Sequence, residues 1–291
     1  MTWLLWLGLV PCLLAVASVG LSAYGSTQWT DTMRTLTRKL EAARIDDRVR
    51  LPSSARYDSR ELEGLPAPVQ RYFRAVLKEG QPVIAAATVE LAGTFNMSAT
   101  GEQWKPFTSR QRIVTRRPGF LWDARVAMFP GVPVHVVDSY IAGEGLLRAA
   151  VLGVFTVAEV RGDGEIARGE FMRYFAEAAW YPTALLPRQG VRWEAVDDRS
   201  ANATIVDGPL TLTLLFRFDE AGLIVAARAQ ARGAMVGKKM VMVPWEGSWS
   251  NYQTRDGMTV PITGQATWLR PEGRKTYFLG NVTSLTYEFS P

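Results

Sequence analysis

Cysteine and histidine are almost absent from this 291-residue chain. The single cysteine, Cys12, lies in an apolar N-terminal segment, so the rest of the chain contains neither a thiol nucleophile nor a disulfide. The single histidine, His135, excludes any metal site built from several histidines. The sequence also lacks a Gly-x-Ser-x-Gly nucleophile motif, a phosphate-binding loop and a dinucleotide-binding fingerprint. We therefore expect no bound metal and no cofactor.

Strong charge of one sign is also missing. The net charge is +5, and the lysines and arginines are scattered along the chain. Because no basic helix, zinc-binding pattern or aromatic RNA-binding strand motif is present, we expect no nucleic-acid partner. The modest positive excess indicates a solvated surface or, as an alternative, attraction to anionic lipid headgroups. A composition of 47% hydrophobic and 21% charged residues is typical of a folded globular protein.

A long uncharged segment lies near the start of the chain. Residues 3–24 contain no charged side chain, and the first charged residue is Asp31. A helix of this length covers about 30 Å, the thickness of a bilayer's hydrocarbon core. No lysine or arginine precedes the segment, unlike a secretory signal, although residues 15–17 offer a small-residue cleavage site. We expect residues 1–30 to be a retained transmembrane anchor, with a cleaved signal segment as the alternative.

The flanking charges predict an orientation. Four basic residues follow the uncharged segment and none precedes it: Arg34, Arg38, Lys39 and Arg44. By the positive-inside rule, this asymmetry favours a cytoplasmic position for the C-terminal domain. Residues 31–61 are charged, with apolar residues at helical spacing, which predicts a juxtamembrane helix or a linker. The proline-containing stretch at 51–54 is expected to interrupt it.

Residues 62–291 are predicted to form a single antiparallel β domain. Pro68 favours the start of a short helix that runs to Leu77. Beyond it, apolar and polar residues alternate as in strands with one buried face, most clearly over 120–128 and 210–218. Weaker alternation predicts strands at 83–96, 109–117, 132–142, 190–197, 200–207, 222–232, 240–254, 258–269 and 275–289. Short turn sequences between them favour antiparallel pairing.

One segment, residues 168–186, interrupts the strand pattern. It is rich in helix-forming residues, and Pro182 should end or kink the helix. A helix of this length can plug or cover the open face of a curved sheet. The predicted fold class is therefore mainly β (α+β). An N-terminal transmembrane helix is followed by a curved antiparallel sheet or half-barrel, with a covering helix near 168–186.

The strongest polar candidates lie on that helix. Arg173 and Glu177 are four residues apart and share one helix face, where they can pair. If the pair faces water, it is a routine surface salt bridge. If it faces a cavity, it can orient a ligand's headgroup, or Glu177 can act as a base. His135 is either a structural imidazole within a strand or, as an alternative, a general base.

The chain contains ten tryptophans, which is many for its length. They either fill a large core or line an apolar cavity for a hydrophobic ligand. On the second interpretation, Trp122, Trp180 and Trp193 are the candidate lining residues, with Arg173 and Glu177 as polar handles.

Several motifs resemble the landmarks of a bacterial family catalogued only as a domain of unknown function, over about residues 62–291. They are Leu65-Pro-x-Pro-Val-Gln-Arg-Tyr72, Trp104-Lys-Pro-Phe107, Gly119-Phe-Leu-Trp122, Gly143-Glu-Gly145, Arg173-Tyr-Phe-Ala-Glu-Ala-Ala-Trp-Tyr-Pro-Thr-Ala-Leu-Leu186 and Val191-Arg-Trp-Glu194. The resemblance implies a bacterial, often membrane-anchored protein and supplies no established reaction. The strand-rich pattern with one covering helix also resembles, in architecture, the half-barrel of periplasmic lipoprotein-carrier proteins.

Three functional hypotheses follow. The first is a membrane-tethered, non-enzymatic module that binds a lipid or another hydrophobic small molecule in the cavity of the curved sheet. The second is an enzyme that acts on an apolar substrate, with Glu177 or His135 as its acid–base group. The third is an envelope scaffold or interaction domain without a ligand. We expect a single-pass protein of the cell membrane, attached through residues 3–24. The charge rule favours a cytoplasmic domain, and the carrier-like architecture favours an extracytoplasmic one.

Overall fold

The computed structural model of the chain describes residues 2–46, 56–98, 100–129, 131–236 and 239–290. Within these ranges, the side chains of residues 2–19, 45, 46, 129, 235 and 236 lie outside what the structure describes. The interruption expected at 51–54 also lies outside the described residues.

The described residues form three α-helices and thirteen strands. The helices are α1 (Thr2–Asp46), α2 (Ala67–Val76) and α3 (Glu165–Ala176), and 3-10 turns lie at Ser59–Leu62, Glu177–Trp180, Pro182–Leu185 and Pro187–Gln189. The strands are β1 (Ile84–Asn96), β2 (Trp104–Val114), β3 (Gly119–Phe129), β4 (Val132–Ile141), β5 (Glu144–Val151), β6 (Phe155–Gly162), β7 (Arg192–Asp197), β8 (Ser200–Asp207), β9 (Leu210–Phe218), β10 (Ile224–Val236), β11 (Lys239–Arg255), β12 (Met258–Arg270) and β13 (Gly273–Phe289).

All thirteen strands belong to one antiparallel sheet, in the order β6-β5-β4-β3-β2-β1-β13-β12-β11-β10-β9-β8-β7. Neighbours in the sheet are mostly neighbours in sequence, as expected from the short turns. The exception is β1, which pairs with β13 from Ile84↔Phe289 to Phe95↔Phe278. The first and last strands therefore meet at the middle of the sheet and join its two halves. The antiparallel sheet predicted from the alternation is confirmed.

Two strands were not predicted from the sequence. β5 and β6 occupy most of residues 144–162, where the sequence shows no alternation. β6 is exposed along nearly its whole length because it is an edge strand, and β5 is partly buried on both faces. A strand with two similar faces carries no period of two. The strands that the sequence did predict are all present, with bounds shifted by a few residues.

Helix α3 lies inside the curve of the sheet. It packs against β3, β4, β5 and β6 from one half of the sheet and against β9 and β10 from the other half. The two halves also meet directly, because Tyr140 Oη donates a hydrogen bond to Asp207 Oδ2 at 2.6 Å. At the start of β5, a Cβ on Gly145 would lie 2.6 Å from Ala167 Cα, so only glycine permits this close approach. The sheet therefore wraps around the helix, which is the centre of the core.

The covering helix expected at 168–186 is shorter than predicted and is buried within the fold. The α-helix ends at Ala176, and the chain continues in 3-10 turns. One such turn begins at Pro182, whose missing N–H prevents continuation of the preceding turn. Trp180 Nε1 donates to Pro261 O at 3.1 Å, which ties this segment to β12. Because such contacts reach residues far away in sequence, the local pattern did not reveal the early end of the α-helix.

Helix α1 packs on the outer face of the same sheet. Its buried residues Trp29, Leu36 and Leu40 contact an apolar group that includes Leu121 and Val137 of β3 and β4. The juxtamembrane helix expected within 31–61 is therefore, over its described part, the C-terminal half of α1. It covers the outer face of β2–β5, so the sheet has an apolar layer on both faces there.

The uncharged residues 3–24 belong to the N-terminal half of α1. Across the part of the chain that the structure describes, we find no helix that is long and apolar enough to cross a membrane. The side chains of residues 2–19 lie outside that part. The anchor expected at residues 1–30 therefore stays a prediction.

Candidate functional site

Three neighbouring strands place a row of side chains on the inner face of the sheet. Gln111 of β2 lies opposite Trp122 of β3, and Trp122 lies opposite Asp138 of β4. Side chains that oppose one another in adjacent strands project from the same face. All three residues are therefore turned toward α3.

A buried arginine on α3 binds to this row. Arg173 donates from Nη1 to Asp138 Oδ2 at 2.8 Å and from Nη2 to Gln111 Oε1 at 3.1 Å. Its Nε donates to Glu177 Oε1 at 2.7 Å, and Gln111 Nε2 donates to Glu177 Oε2 at 2.6 Å. The guanidinium also lies 4.7 Å from the ring centroid of Trp122, within cation–π range. All three nitrogens of Arg173 are thus engaged within the protein.

A second buried ion pair adjoins the first. Arg232 of β10 has its Nη2 atom 3.8 Å from Glu170 Oε1, and its guanidinium lies 4.7 Å from the centroid of a Trp245 ring. Glu170, Arg173 and Glu177 recur along the helix at i, i+3 and i+7, which places them on one face. We call the six residues that meet here the charged cluster: Gln111, Asp138, Glu170, Arg173, Glu177 and Arg232.

The charged cluster contains three carboxyl groups and two guanidiniums. Burial, with a smaller contribution from the nearby Asp138 carboxylate, raises the pKa of Glu170 to about 8. Burial also raises the pKa of Asp138, and the positive charge of Arg173 opposes that shift. With a pKa of about 8, Glu170 is mostly protonated at neutral pH, which reduces the negative charge of the cluster.

Two acceptor atoms of the cluster are buried without a hydrogen-bond partner among the described residues. They are Asp138 Oδ1 and Glu170 Oε2. Leaving a buried polar atom unpaired costs on the order of 1–3 kcal/mol. An N–H or O–H donor brought here by a bound molecule would remove that cost. Asp138 Oδ1 is therefore an acceptor that the protein leaves free, and Arg232, whose ion pair with Glu170 spans 3.8 Å, retains N–H donors.

These two residues border a cavity of about 410 Å³ between α3 and the sheet. Most of its wall is apolar, and the apolar lining includes Phe95, Met97, Trp122, Val136, Leu147 and Trp268. A smaller hollow of about 80 Å³ borders Arg173 and Glu177 and shares Asp138 and Arg232 with the larger cavity. The arrangement suits an amphiphilic molecule, because an apolar chamber adjoins a compact polar patch.

The structure brings together three of the five predicted site residues. Arg173, Glu177 and Trp122 meet in the charged cluster and its walls. Trp180 instead packs edge-on against Trp249, with ring centroids 4.8 Å apart, in the core. Trp193 packs against Phe73 of α2 and Phe216 of β9, and its Nε1 donates a hydrogen bond to Leu185 O at 3.0 Å. Neither Trp180 nor Trp193 lines either hollow, so the lining role predicted for them is not supported.

His135 lies on the opposite face of the sheet from the cavity. It is buried beneath α1, and its ring centroid lies 5.1 Å from that of Trp29. Burial lowers the pKa of the imidazole, and the charge of Arg125 lowers it further. His135 therefore does not border this cavity, and its position agrees with the structural interpretation.

Sequence reasoning missed four members of the cluster: Gln111, Asp138, Glu170 and Arg232. Glu170 was detectable, because it precedes Arg173 by three residues on the same helix. Asp138 was also detectable as a charge within an apolar predicted strand. Within the described part of the chain, no group of three or more histidine, cysteine, aspartate or glutamate side chains is placed to hold a metal ion.

Comparisons with known proteins place these features in a wider context. A search of curated proteins finds no match. The chain is similar in structure to a LolA superfamily protein from Nitrosomonas europaea, with a TM-score of 0.39 and 9% identity over 77% of this chain and 93% of the other. It is also similar to a beta-barrel-like protein of the domain of unknown function DUF1849 from Brucella abortus, with a TM-score of 0.24 and 11% identity over 71% of this chain and 99% of the other.

A comparison with protein families matches residues 63–287 to a family of unknown function, DUF6920. This match spans most of the chain and nearly all of the predicted β domain. It confirms the resemblance drawn from the sequence motifs. The chain therefore belongs to the family of unknown function DUF6920.

Proposed function

We propose that the β domain binds an amphiphilic small molecule, such as a lipid, inside the curve of its sheet. The observation that carries this proposal is the apolar cavity of about 410 Å³ that meets the unpartnered oxygens of Asp138 and Glu170. Apolar cavities with a few converging polar groups are the usual form of small-molecule sites. The apolar part of the ligand would fill the chamber, and its polar head would bind at the charged cluster.

The free atoms of the cluster favour one kind of headgroup. Each nitrogen of Arg173 already donates a hydrogen bond within the protein, and Nη1 lies 2.8 Å from Asp138 Oδ2, so a carboxylate head would have to approach beside a protein carboxyl group. The buried atoms of the cluster that have no partner are both carboxyl oxygens. Asp138 Oδ1 can accept a hydrogen bond, whereas Glu170, with its raised pKa of about 8, also carries an O–H donor at neutral pH. We therefore propose a head that carries N–H or O–H donors, such as an ammonium or a hydroxyl group.

The proposal includes a membrane tether. Residues 3–24 contain no charge and are long enough as a helix to cross a bilayer. Such a tether would hold the cavity close to the membrane, where amphiphilic ligands are concentrated.

The enzyme and scaffold hypotheses receive less support from the geometry. Each oxygen of Glu177 already accepts a hydrogen bond, one from Arg173 and one from Gln111, so the carboxyl group is engaged within the protein rather than free to act as a base. A scaffold without a ligand needs no cavity bordered by unpaired buried carboxyl oxygens. Ligand binding accounts for both features.

Three probes that share a dodecyl tail and differ in their headgroup test the proposal. Dodecylammonium, dodecanol and dodecanoate are titrated into the detergent-purified protein at pH 7, and binding is followed by calorimetry and tryptophan fluorescence. We expect dodecylammonium and dodecanol to bind more tightly than dodecanoate, because only they can donate a hydrogen bond to Asp138 Oδ1. Equal binding of all three would contradict the headgroup assignment, and binding of none would contradict the function.

Gly169 provides a matched pair of variants for the same test. It lines the cavity, and a Cβ there would meet only the Arg232 side chain, at an ordinary contact distance of 3.6 Å. Gly169→Ala should keep binding, whereas Gly169→Leu should occupy the chamber and reduce binding at least tenfold. Both variants should melt at or above the wild-type temperature, since glycine is a poor helix former. Unchanged binding by a folded Gly169→Leu would remove the ligand from this cavity.

A further inference from the structure

The turns of the sheet are divided between two rims. We call the cavity rim the one that carries the turns after β1, β5, β8 and β12, and the far rim the one that carries the turns after β4, β7 and β11. The cavity extends to the first of these rims, because its lining includes Met97 at the end of β1 and Met240 at the start of β11. Val160 of β6 also lines the cavity, nearer the far rim, since it pairs with Leu147 of β5. The end of β1 and the start of β11 therefore border the mouth of the cavity at this rim.

The cavity rim is unusually apolar on its outside. The exposed apolar residues on or beside β1, β6 and β11 near this rim are Met97, Phe155, Val157, Met240, Val241 and Met242. Toward the far rim, the described residues include two large apolar side chains that are exposed to a similar degree, Val160 and Val196. An exposed apolar group of this kind marks an interaction surface.

Helix α1 meets the domain first at the same rim. Gly25 touches the β5–β6 turn at Leu152 and Val154. Further along, α1 crosses the outer face of the sheet, and Arg44 pairs with Glu288 at the far rim at 2.8 Å. The helix therefore runs from the cavity rim toward the far rim. The uncharged residues 3–24 immediately precede Gly25, so this segment joins the domain at the cavity rim.

We propose that the cavity rim rests on a lipid bilayer, with the mouth of the cavity turned toward the membrane. The uncharged segment and the exposed apolar side chains of the rim lie at the same end of the domain, which is the arrangement that a bilayer surface fits. Lys239, which precedes the apolar run of β11, is exposed and is suited to anionic headgroups while its neighbours reach into the interface. The surface is defined independently of whether the cavity holds a ligand.

Labels at the two rims test the proposal on the full chain. In a Cys12→Ser background, a single cysteine is introduced by Met240→Cys, Phe155→Cys or Val196→Cys and labelled with the environment-sensitive dye NBD. The labelled chains are placed in nanodiscs of phosphatidylcholine and phosphatidylglycerol. We expect blue-shifted NBD emission at positions 240 and 155, most of which is lost when the acyl chains carry doxyl quenchers. The label at position 196 should keep the emission of a water-exposed dye and should not be quenched.

Two results would overturn the proposal. One is failure of the full chain to float with phospholipid vesicles. The other is water-like, unquenched emission at positions 240 and 155 in nanodiscs, which is also the result expected if a protein partner rather than a bilayer covers the rim. Circular dichroism of each labelled chain establishes that it is folded. Alkyl-probe binding is measured separately, so a failed ligand test and a failed docking test remain distinguishable.

Discussion

At the residue scale, Arg173 shows how this domain accommodates a buried charge. Its guanidinium is paired with two carboxylates and the amide of Gln111, and it stacks on Trp122. Removing one partner from a buried ion pair costs on the order of 3–5 kcal/mol, because the other charge is then left uncompensated. The cluster therefore constrains the packing of α3 against the sheet. The cluster is least well satisfied at the unpaired oxygens of Asp138 and Glu170 and at Arg232, whose ion pair with Glu170 spans 3.8 Å.

Glu170 makes the stability of the domain depend on pH. Its pKa is raised from the ordinary value of 4.5 to about 8, so the folded state holds a proton that the unfolded state releases. The stabilising contribution of that proton is complete below about pH 4.5 and is lost as the pH rises through about 8, by up to about 1.4 kcal/mol per pH unit. Glu170→Gln should abolish this loss, so that the variant gains stability relative to the wild type from pH 5 to pH 9. Urea unfolding at several pH values measures the difference.

An exposed glutamate supplies the control for that experiment. Glu220 pairs with Arg199 at the surface, where both side chains are largely in water. Glu220→Gln should change the free energy of unfolding by less than about 1 kcal/mol at every pH. A Glu170→Gln profile parallel to that of the wild type would show that Glu170 does not hold a proton in the folded state.

At the scale of the elements, the helices on the two faces of the sheet, α3 and α1, are packed differently. α3 is enclosed by strands from both halves, so it is buried nearly all round. α1 packs on the outer face over β2–β5, where Trp29 Nε1 also donates to Asp123 Oδ1 at 2.8 Å, and its C-terminal part forms ion pairs with Arg112 of β2 and Glu288 of β13. The docking of α1 thus depends on a few buried side chains, on these ion pairs and on one close backbone approach at Gly25.

Substitution of two glycines of α1 distinguishes the effect of helix propensity from the effect of docking on the sheet. A Cβ on Gly25 would lie 1.9 Å from Leu152 O, whereas a Cβ on Gly20 would meet nothing within 4 Å. Alanine favours a helix over glycine by about 1 kcal/mol at either position. We therefore expect Gly20→Ala to protect the amides of α1 from hydrogen exchange, and Gly25→Ala to expose them by forcing the helix away from the sheet. The same response in both variants would show that α1 does not dock through this contact.

At the scale of the whole molecule, the sheet is a meander that is completed only by its last strand. β13 lies between β1 and β12, and without it the two halves have no shared strand. Pairing the last strand with the first joins residues about 200 positions apart, from Ile84↔Phe289 onward. Such non-local pairing is slow to form, since the loop must be closed before the contacts stabilise it. We therefore expect folding to be completed late, after the whole chain is available.

Truncation tests the dependence on the last strand. A chain that ends at Glu272 lacks β13 and should not show cooperative unfolding by circular dichroism, because both β1 and β12 would present unpaired edges. Addition of a synthetic peptide of residues 273–291 should restore cooperative unfolding. If the truncated chain melts as the full chain does, the two halves of the sheet are independently stable.

The sequence by itself determined the features that depend on local spacing. Alternation at 120–128 and 210–218 predicted strands with one buried face, because successive side chains of a strand point to opposite sides. The i,i+4 spacing of Arg173 and Glu177 predicted their pairing, because residues four apart lie on the same face of a helix. Family membership was also detectable, since it rests on short motifs.

Only the tertiary structure decided which distant residues meet. Spacing does not encode the pairing of β1 with β13, which brings the two halves of the sheet around α3. It does not reveal that Asp138 faces the cavity while His135 of the same strand faces α1, or that Trp122 borders a cavity while Trp180 fills the core. Each of these outcomes depends on contacts between elements far apart in the chain, whose free energy is gained only when the whole sheet has curved around its helix.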